Sequence, residues 1–306
     1  MKHSVKITLV LLGMFVIAQL IGIFVVGVYS PRVEQVQDSS GNVVNVTSYN
    51  LPYGMDPPQD ISPSTSLFSI IFAIIIAVVA MFFLMKYGAT LFLRIWFFAV
   101  IALALGITLN AFLSNVVFSS IISLIIAIPV AFVKVFQRSI VLHNASELFV
   151  YPGIAAIFVP FLNIWTICLL LIFISLYDIY AVWHSGIMQK MAKYQIKTLR
   201  VFSGFFIPYL GRKDRKMIEA KNPSRLKNKK VKVNIAILGG GDVVFPIIMA
   251  GVVLQALGLV QALLISLGAT LALAYLFYVS EKGKFYPAMP FITIGCFIGL
   301  LVAYLI

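Results

Sequence analysis

The sequence predicts an all-α polytopic membrane protein of nine transmembrane helices. Three observations carry that expectation. Of 306 residues, 61% are hydrophobic and only 11% charged, a balance foreign to a water-soluble globule. The apolar residues fall into recurring runs of about twenty, each long enough to cross a hydrocarbon layer about 30 Å thick. The basic residues between those runs collect in alternate loops.

The first run, 7–29, follows only Lys2 and Lys6. It is too long for a signal-peptide core and has no small-residue cleavage site behind it, so it reads as a retained span. The loop 30–65 is proline-bearing and net acidic, with Arg32 against Glu34, Asp38, Asp56 and Asp60. Its irregular pattern fits either a short hairpin or disorder. Asn45-Val46-Thr47 within it is a glycosylation sequon, a triplet common by chance. Five runs follow at 66–85, 91–112, 114–133, 140–161 and 163–184, then three more at 235–257, 259–279 and 286–306. The chain thus reads as one membrane domain, 1–306. Spans one to six occupy 1–184, a basic cytoplasmic loop fills 185–234, and spans seven to nine occupy 235–306.

The net charge of +13 points to topology and not to nucleic acid. With the N-terminus inside, alternation through nine spans puts Lys2, Lys6, Lys86, Arg94, Lys134, Arg138, the 185–234 segment, Lys282 and Lys284 on the cytoplasmic side. That is 22 of the 23 Lys and Arg, leaving Arg32 outside. The positive-inside rule then gives a cytoplasmic N-terminus and an extracytoplasmic C-terminus. In the basic loop, Lys190, Lys193, Lys197 and Arg200 recur at helical spacing beside Ile187, Met191, Leu199, Phe202 and Phe206. That pattern predicts an interfacial helix on anionic headgroups, unless the charge serves topology alone. Arg212 to Lys232 is expected to be a mobile basic stretch. Cys168 and Cys296 lie inside spans as small hydrophobes, with no disulfide or metal role.

Three acids remain within the membrane runs: Glu147, Asp178 and Asp242. Each costs about 2.5–3.5 kcal/mol there even on lenient scales, which asks for a functional explanation. Counted from the cytoplasmic ends, Asp178 lies about 9 Å and Asp242 about 10 Å deep at a rise of ~1.5 Å per residue. Their spans run in opposite senses, so adjacent antiparallel helices would bring the two carboxyls together. Two acids facing each other in a low-dielectric site share one proton, the chemistry of aspartic proteases. Glu147, with His143 one turn earlier, has three readings: an acid hydrogen-bonded inside the bundle, one snorkelling toward Lys134 or Arg138, or a member of the active site.

The flanking residues are distinctive. Gly239, Gly240 and Gly241 precede Asp242; they either allow close helix packing or let a substrate backbone approach the acid. The ninth run opens Tyr286-Pro287-Ala288-Met289-Pro290-Phe291. Its two prolines delay a regular helix until about Pro290 and leave backbone groups unpaired. Such backbone is tolerated at membrane depth only inside protein or beside a wet cavity.

Tyr177-Asp178 on one span, Gly-x-Gly-Asp on the next and Pro287-Ala288-Met289 opening the ninth resemble the presenilin and signal-peptide-peptidase family of intramembrane aspartyl proteases. The likeness covers the nine-span layout and is sharpest from residue 177 onward. Met289 stands where the family usually has leucine, a nearly volume-conserving exchange. The hydrophilic loop between spans six and seven is short, which suits a compact microbial, archaeal-type homologue. The resemblance implies a presenilin-like intramembrane protease fold and an aspartic endopeptidase cutting transmembrane segments or remnant signal peptides. It implies Asp178 and Asp242 as catalytic residues, Gly239, Gly241, Pro287, Ala288 and Met289 as substrate-binding, and no metal or cofactor. Tyr177 either supports the dyad or anchors at the interface. Membrane lipids are the other expected partners, and a homo-oligomer is compatible with the sequence.

The alternative is a proton- or cation-coupled transporter or channel using its intramembrane acids at broken helices. Other intramembrane proteases fit poorly: the chain has no His-Glu-x-x-His zinc motif and no convincing Gly-x-Ser-x-Gly site. Prepilin peptidases share Gly-x-Gly-Asp, but the nine spans and the Pro-Ala-Met triplet argue against them.

Overall fold

In lipid a backbone must satisfy its own hydrogen bonds, and helices do so within one segment. The computed structural model describes residues 5–37, 43–55, 62–137, 139–184, 191, 194–199, 202–210, 233–281 and 286–306. Among these, the apolar runs form α1 (Val5–Val28), α2 (Pro63–Lys86), α3 (Thr90–Phe112), α4 (Ser119–Phe136), α5 (Ile140–Phe158), α6 (Ile164–Trp183), α7 (Gly240–Leu257), α8 (Leu259–Val279) and α9 (Met289–Leu305). Eight are long and apolar enough to cross a membrane, counting α5 with the 3-10 turn Val159–Phe161, and α9 is a shorter apolar helix.

Local chemistry sets several ends. Ser62 caps α2 through its side chain, with a proline in the first turn. Ser139 caps α5, and Asn163 opens α6 with a reciprocal capping box to Thr166, satisfying amides that have no intrahelical partner. The fourth span begins at Ser119 instead of near 114, because Phe118 takes a left-handed conformation, φ 62°, that ends the preceding turn.

Two antiparallel hairpins interrupt the helical plan. β1 (Arg32–Gln37) pairs with β2 (Val43–Ser48), so the first loop holds a hairpin, and the sequon Asn45-Val46-Thr47 lies on β2. β3 (Gly204–Leu210) pairs with β4 (Val233–Gly239), in a register running from Gly204 opposite Gly239 to Leu210 opposite Val233. This second hairpin corrects two expectations. The seventh span does not start at 235, because residues up to Gly239 are strand. The predicted interfacial helix does not reach Phe206, which lies on β3. Residues 195–199 form only a short π-helical turn, with Leu199 buried. Ile187, Lys190, Lys193, Arg200 and the stretch Arg212 to Lys232 lie outside the described residues.

The bundle is centred on α7. Two thirds of it, 67%, is buried, against 11% of the most apolar stretch of α2. It packs on α1, α5, α6 and α8. α8 and α9 meet backbone to backbone, where Gly268 faces Gly295 and Gly299 faces Leu264 and Ile265. Small residues permit that approach, and the tight packing stands in for the hydrophobic drive that lipid removes. Cys168 and Cys296 are both free.

Candidate active site

α6 and α7 touch, and Asp178 and Asp242 are both buried, 5% and 9% exposed. Asp178 is the acid whose charge acts on Asp242. Each carboxylate also stands at a helix N-terminus. Asp242 is the third residue of α7 and lies in its first turn. A Cβ built on Gly239, the N-cap, would come within 3.0 Å of Asp242 Oδ2, so the side chain folds back over the cap. That places the carboxylate beside the unpaired amides at the start of α7. Asp178 reaches the start of a different helix. Its Oδ2 accepts the Met289 N–H at 3.0 Å, and the Ala288 amide is its second backbone donor. Unpaired amides and the positive end of a helix dipole both favour a negative group. Ser175 and Thr293, hydrogen-bonded at 2.8 Å, tie α6 to α9 about one turn away.

The ninth helix begins at Met289, close to the start its prolines require. Pro287 and Met289 are buried and Ala288 is half-buried. The backbone freed by the prolines is directed at Asp178. The three glycines differ. Gly239 leaves room for the folded-back Asp242. At Gly240 a Cβ would meet Ser203 Oγ at 2.7 Å and Tyr151 Cε1 and hydroxyl at 3.1 Å, so this glycine allows the close packing on α5. Gly241 is exposed, and a Cβ there would meet only the Phe245 ring, at 3.6 Å. Tyr177 is exposed at 37%, on the outer face of α6, which suits an anchor better than a partner of the dyad.

Glu147 is 1% exposed. Its Oε1 lies 2.9 Å from Lys134 Nζ and 3.7 Å from His143 Nε2. The interior reading is therefore the one observed, and Lys134, assigned to the cytoplasmic loop from sequence, is drawn into the bundle with a side chain only 1% exposed. Sequence reasoning missed several neighbours: Tyr151, Ser203, the β3–β4 hairpin and Gln19. The amide of Gln19 donates to the Val243 carbonyl at 3.1 Å, and Ser266 donates to its oxygen at 3.4 Å. A buried glutamine in the first span was the available signal.

The signal-peptide peptidase, presenilin aspartyl protease family model matches residues 42–306, which takes in both aspartates, the glycine run and the Pro-Ala-Met triplet. No curated protein matches the chain. Among solved structures it is similar to a presenilin family intramembrane aspartate protease in a C222 crystal form, with a TM-score of 0.58 and 17% identity, covering 97% of this chain and 98% of that one. The P2 form of such a protease gives a TM-score of 0.58 and 17% identity over 96% of each chain. At that identity the structural likeness speaks for the fold. The family match extends over most of the sequence, and on it the chain belongs to the signal-peptide peptidase and presenilin family of aspartyl proteases, aspartic endopeptidases of the membrane.

Proposed function

We propose that Asp178 and Asp242 form a catalytic carboxyl dyad that hydrolyses peptide bonds within transmembrane segments and remnant signal peptides. The observation that carries this reading is their placement on touching helices, both buried, each with its carboxylate at a helix N-terminus. Two carboxyls so placed share one proton, because a second negative charge in the same dry site is costly. The ionised member takes a proton from water as the water oxygen attacks the scissile carbonyl carbon. The protonated member donates to the carbonyl oxygen, stabilising the tetrahedral intermediate. Collapse breaks the C–N bond, with a proton passing from the dyad to the leaving amine.

A helical substrate hides its amides in its own hydrogen bonds, so it must unwind before attack. β4 offers such a strand a partner: it is one edge of a two-stranded sheet and runs directly into Gly239 and Asp242. Edge addition gives main-chain affinity for many sequences. In this reading Pro287, Ala288 and Met289 bind substrate beside Asp178, whose carboxylate accepts the Met289 N–H, and Gly239 and Gly241 let the substrate backbone approach Asp242. Water enters from the hairpin end, where Ser203 and Gly241 are exposed. By the distribution of Lys and Arg that end is cytoplasmic, with the N-terminus inside and the C-terminus outside.

The test is cleavage of a labelled single-span peptide by the purified protein in detergent. Wild type is expected to cut it, and Asp178→Asn and Asp242→Asn each to fall at least about a hundredfold, the usual scale for losing a general acid or base. Cleavage persisting in both variants overturns the dyad.

A further inference from the structure

The dyad makes no use of the buried charges between α4 and α5. An ion pair as enclosed as Lys134 and Glu147 loses more by desolvation than its attraction returns, unless other groups complete it. Here strand β3 completes it. Glu147 Oε1 also accepts the Gly204 N–H, at 3.4 Å. His143 Nε2 lies 2.9 Å from the Gly204 carbonyl oxygen, which can only accept. Asn144 brackets Phe206: its Nδ2 donates to the Phe206 carbonyl at 2.9 Å, and its Oδ1 accepts the Phe206 N–H at 3.1 Å.

The strand alternation gives these bonds a meaning. In an antiparallel strand each residue points its N–H and C=O to one side, and successive residues alternate. The Gly240 N–H bonds the Ser203 carbonyl at 3.3 Å, so positions 203, 205, 207 and 209 face β4 and positions 204, 206 and 208 face outward. α5 side chains hold the first two outward positions. The third is Pro208, which has no N–H to give. The outer edge of β3 is thus closed at 204 and 206, and at 208 it has no N–H to offer. On β4 the outward positions are those opposite in register, Ile235, Ile237 and Gly239. Among the described residues no hydrogen bond occupies the first two, and their side chains are 45% and 41% exposed.

We propose that Asn144, backed by the Glu147–Lys134 pair, is a positioning residue that acts as a surrogate strand. It closes the outer edge of β3, fixes the hairpin to α5, and so sets where the open edge of β4 stands relative to Asp242. The catalytic consequence rests on the protease reading above; the structural claim does not. Asn144 touches neither aspartate, and it works through β3, β4 and Gly239. Tyr151 extends the same face of α5, edge-on to the Phe205 ring with centroids 5.5 Å apart, and seals Gly240 from behind.

The test combines residue-resolved amide exchange with peptide cleavage on the full-length protein in detergent. In wild type, the Gly204 and Phe206 amides are expected to exchange at least about tenfold more slowly than those of Ile235 and Ile237. Equal exchange overturns the closure, and that comparison needs no variant to fold. Asn144→Leu is expected to speed exchange at Phe206 about tenfold and lower kcat about tenfold, as a displaced catalytic group does, with KM within about twofold. Asn144→Gln, which keeps the carboxamide, should recover part of both losses. Unchanged kcat in Asn144→Leu, or Gln no better than Leu, sinks the positioning role. If wild type cuts no peptide, the protease reading fails alone, and the exchange comparison still decides the closure.

Discussion

Removing the Glu147 carboxylate alone leaves the Lys134 ammonium enclosed without its partner. Breaking a buried pair from one side costs about 3–5 kcal/mol, whereas replacing both members is often nearly neutral. Glu147→Gln should therefore lower Tm sharply in a detergent melt, and adding Lys134→Met to the same variant should restore most of it. A double variant as unstable as the single would contradict the pairing. Met289 supports a second comparison. Met289→Leu conserves volume and is expected to cost under about 1.5 kcal/mol with activity kept. Met289→Pro removes the N–H that Asp178 accepts at 3.0 Å; proline suits the first helical position, although Ala288 before it must leave its αR conformation. Activity is expected to fall at least about tenfold, the usual worth of a hydrogen bond to a charged group being about 1.5–3 kcal/mol, with α9 still helical by circular dichroism. At this scale the two aspartates were legible because charge in an apolar run is rare. Their backbone donors were not: no periodicity in the sequence marks the Met289 amide as a donor to a residue 111 positions away. The sequence does offer Lys134 to Glu147, but as a snorkelling contact and not as the enclosed pair observed.

The nine helices were legible as elements, since an apolar run of about twenty residues has few alternatives in a bilayer. The β3–β4 hairpin was not, although Val233, Ile235 and Ile237 place β-branched residues at period two and Gly204–Leu210 is rich in aromatics. The apolar strand joins the apolar helix without a break, and periodicity alone does not separate such runs. The glycines that mark the junction fit close helix packing or the approach of a substrate backbone equally well, and neither reading points to a strand. Gly204 shows the hairpin's dependence on one backbone conformation. Its φ is +147°, and a Cβ there would meet the Leu238 carbonyl oxygen at 2.5 Å and the Phe202 ring at 2.6 Å. Gly204→Ala should destabilise by about 1–3 kcal/mol, loosen β3 from His143 and Glu147, and lower cleavage while leaving helix content unchanged. Wild-type exchange across β3 would show that the hairpin tolerates the strain, and wild-type cleavage despite faster exchange there would show that its seating on α5 is not what aligns β4.

For the whole molecule, the hairpins lie toward opposite ends of the bundle. Tyr53, just after β2, donates to the Ser120 carbonyl at 3.1 Å and lies 2.6 Å from Ser123 Oγ, in the first turns of α4. Arg94 Nε, near the start of α3, donates at 2.9 Å to the carbonyl of Leu199, shortly before β3. α3 and α4 are consecutive spans, so their starts lie at opposite faces, separated by roughly 34 Å of helix at ~1.5 Å per residue. That places residues 194–199 at the same face as the α2–α3 turn with Lys86, as the charge distribution requires. Lys134 no longer counts as a free loop charge, but by the alternation of spans the remaining cations keep the bias toward one side. A Cys168→Ala, Cys296→Ala protein carrying either Ser40→Cys or Asn222→Cys separates the two orientations. An impermeant maleimide added to intact cells should label position 40 directly, and position 222 only after the membrane is opened. The reverse pattern would put the basic face outside, and with it the hairpin end from which water and an unwound substrate approach Asp242.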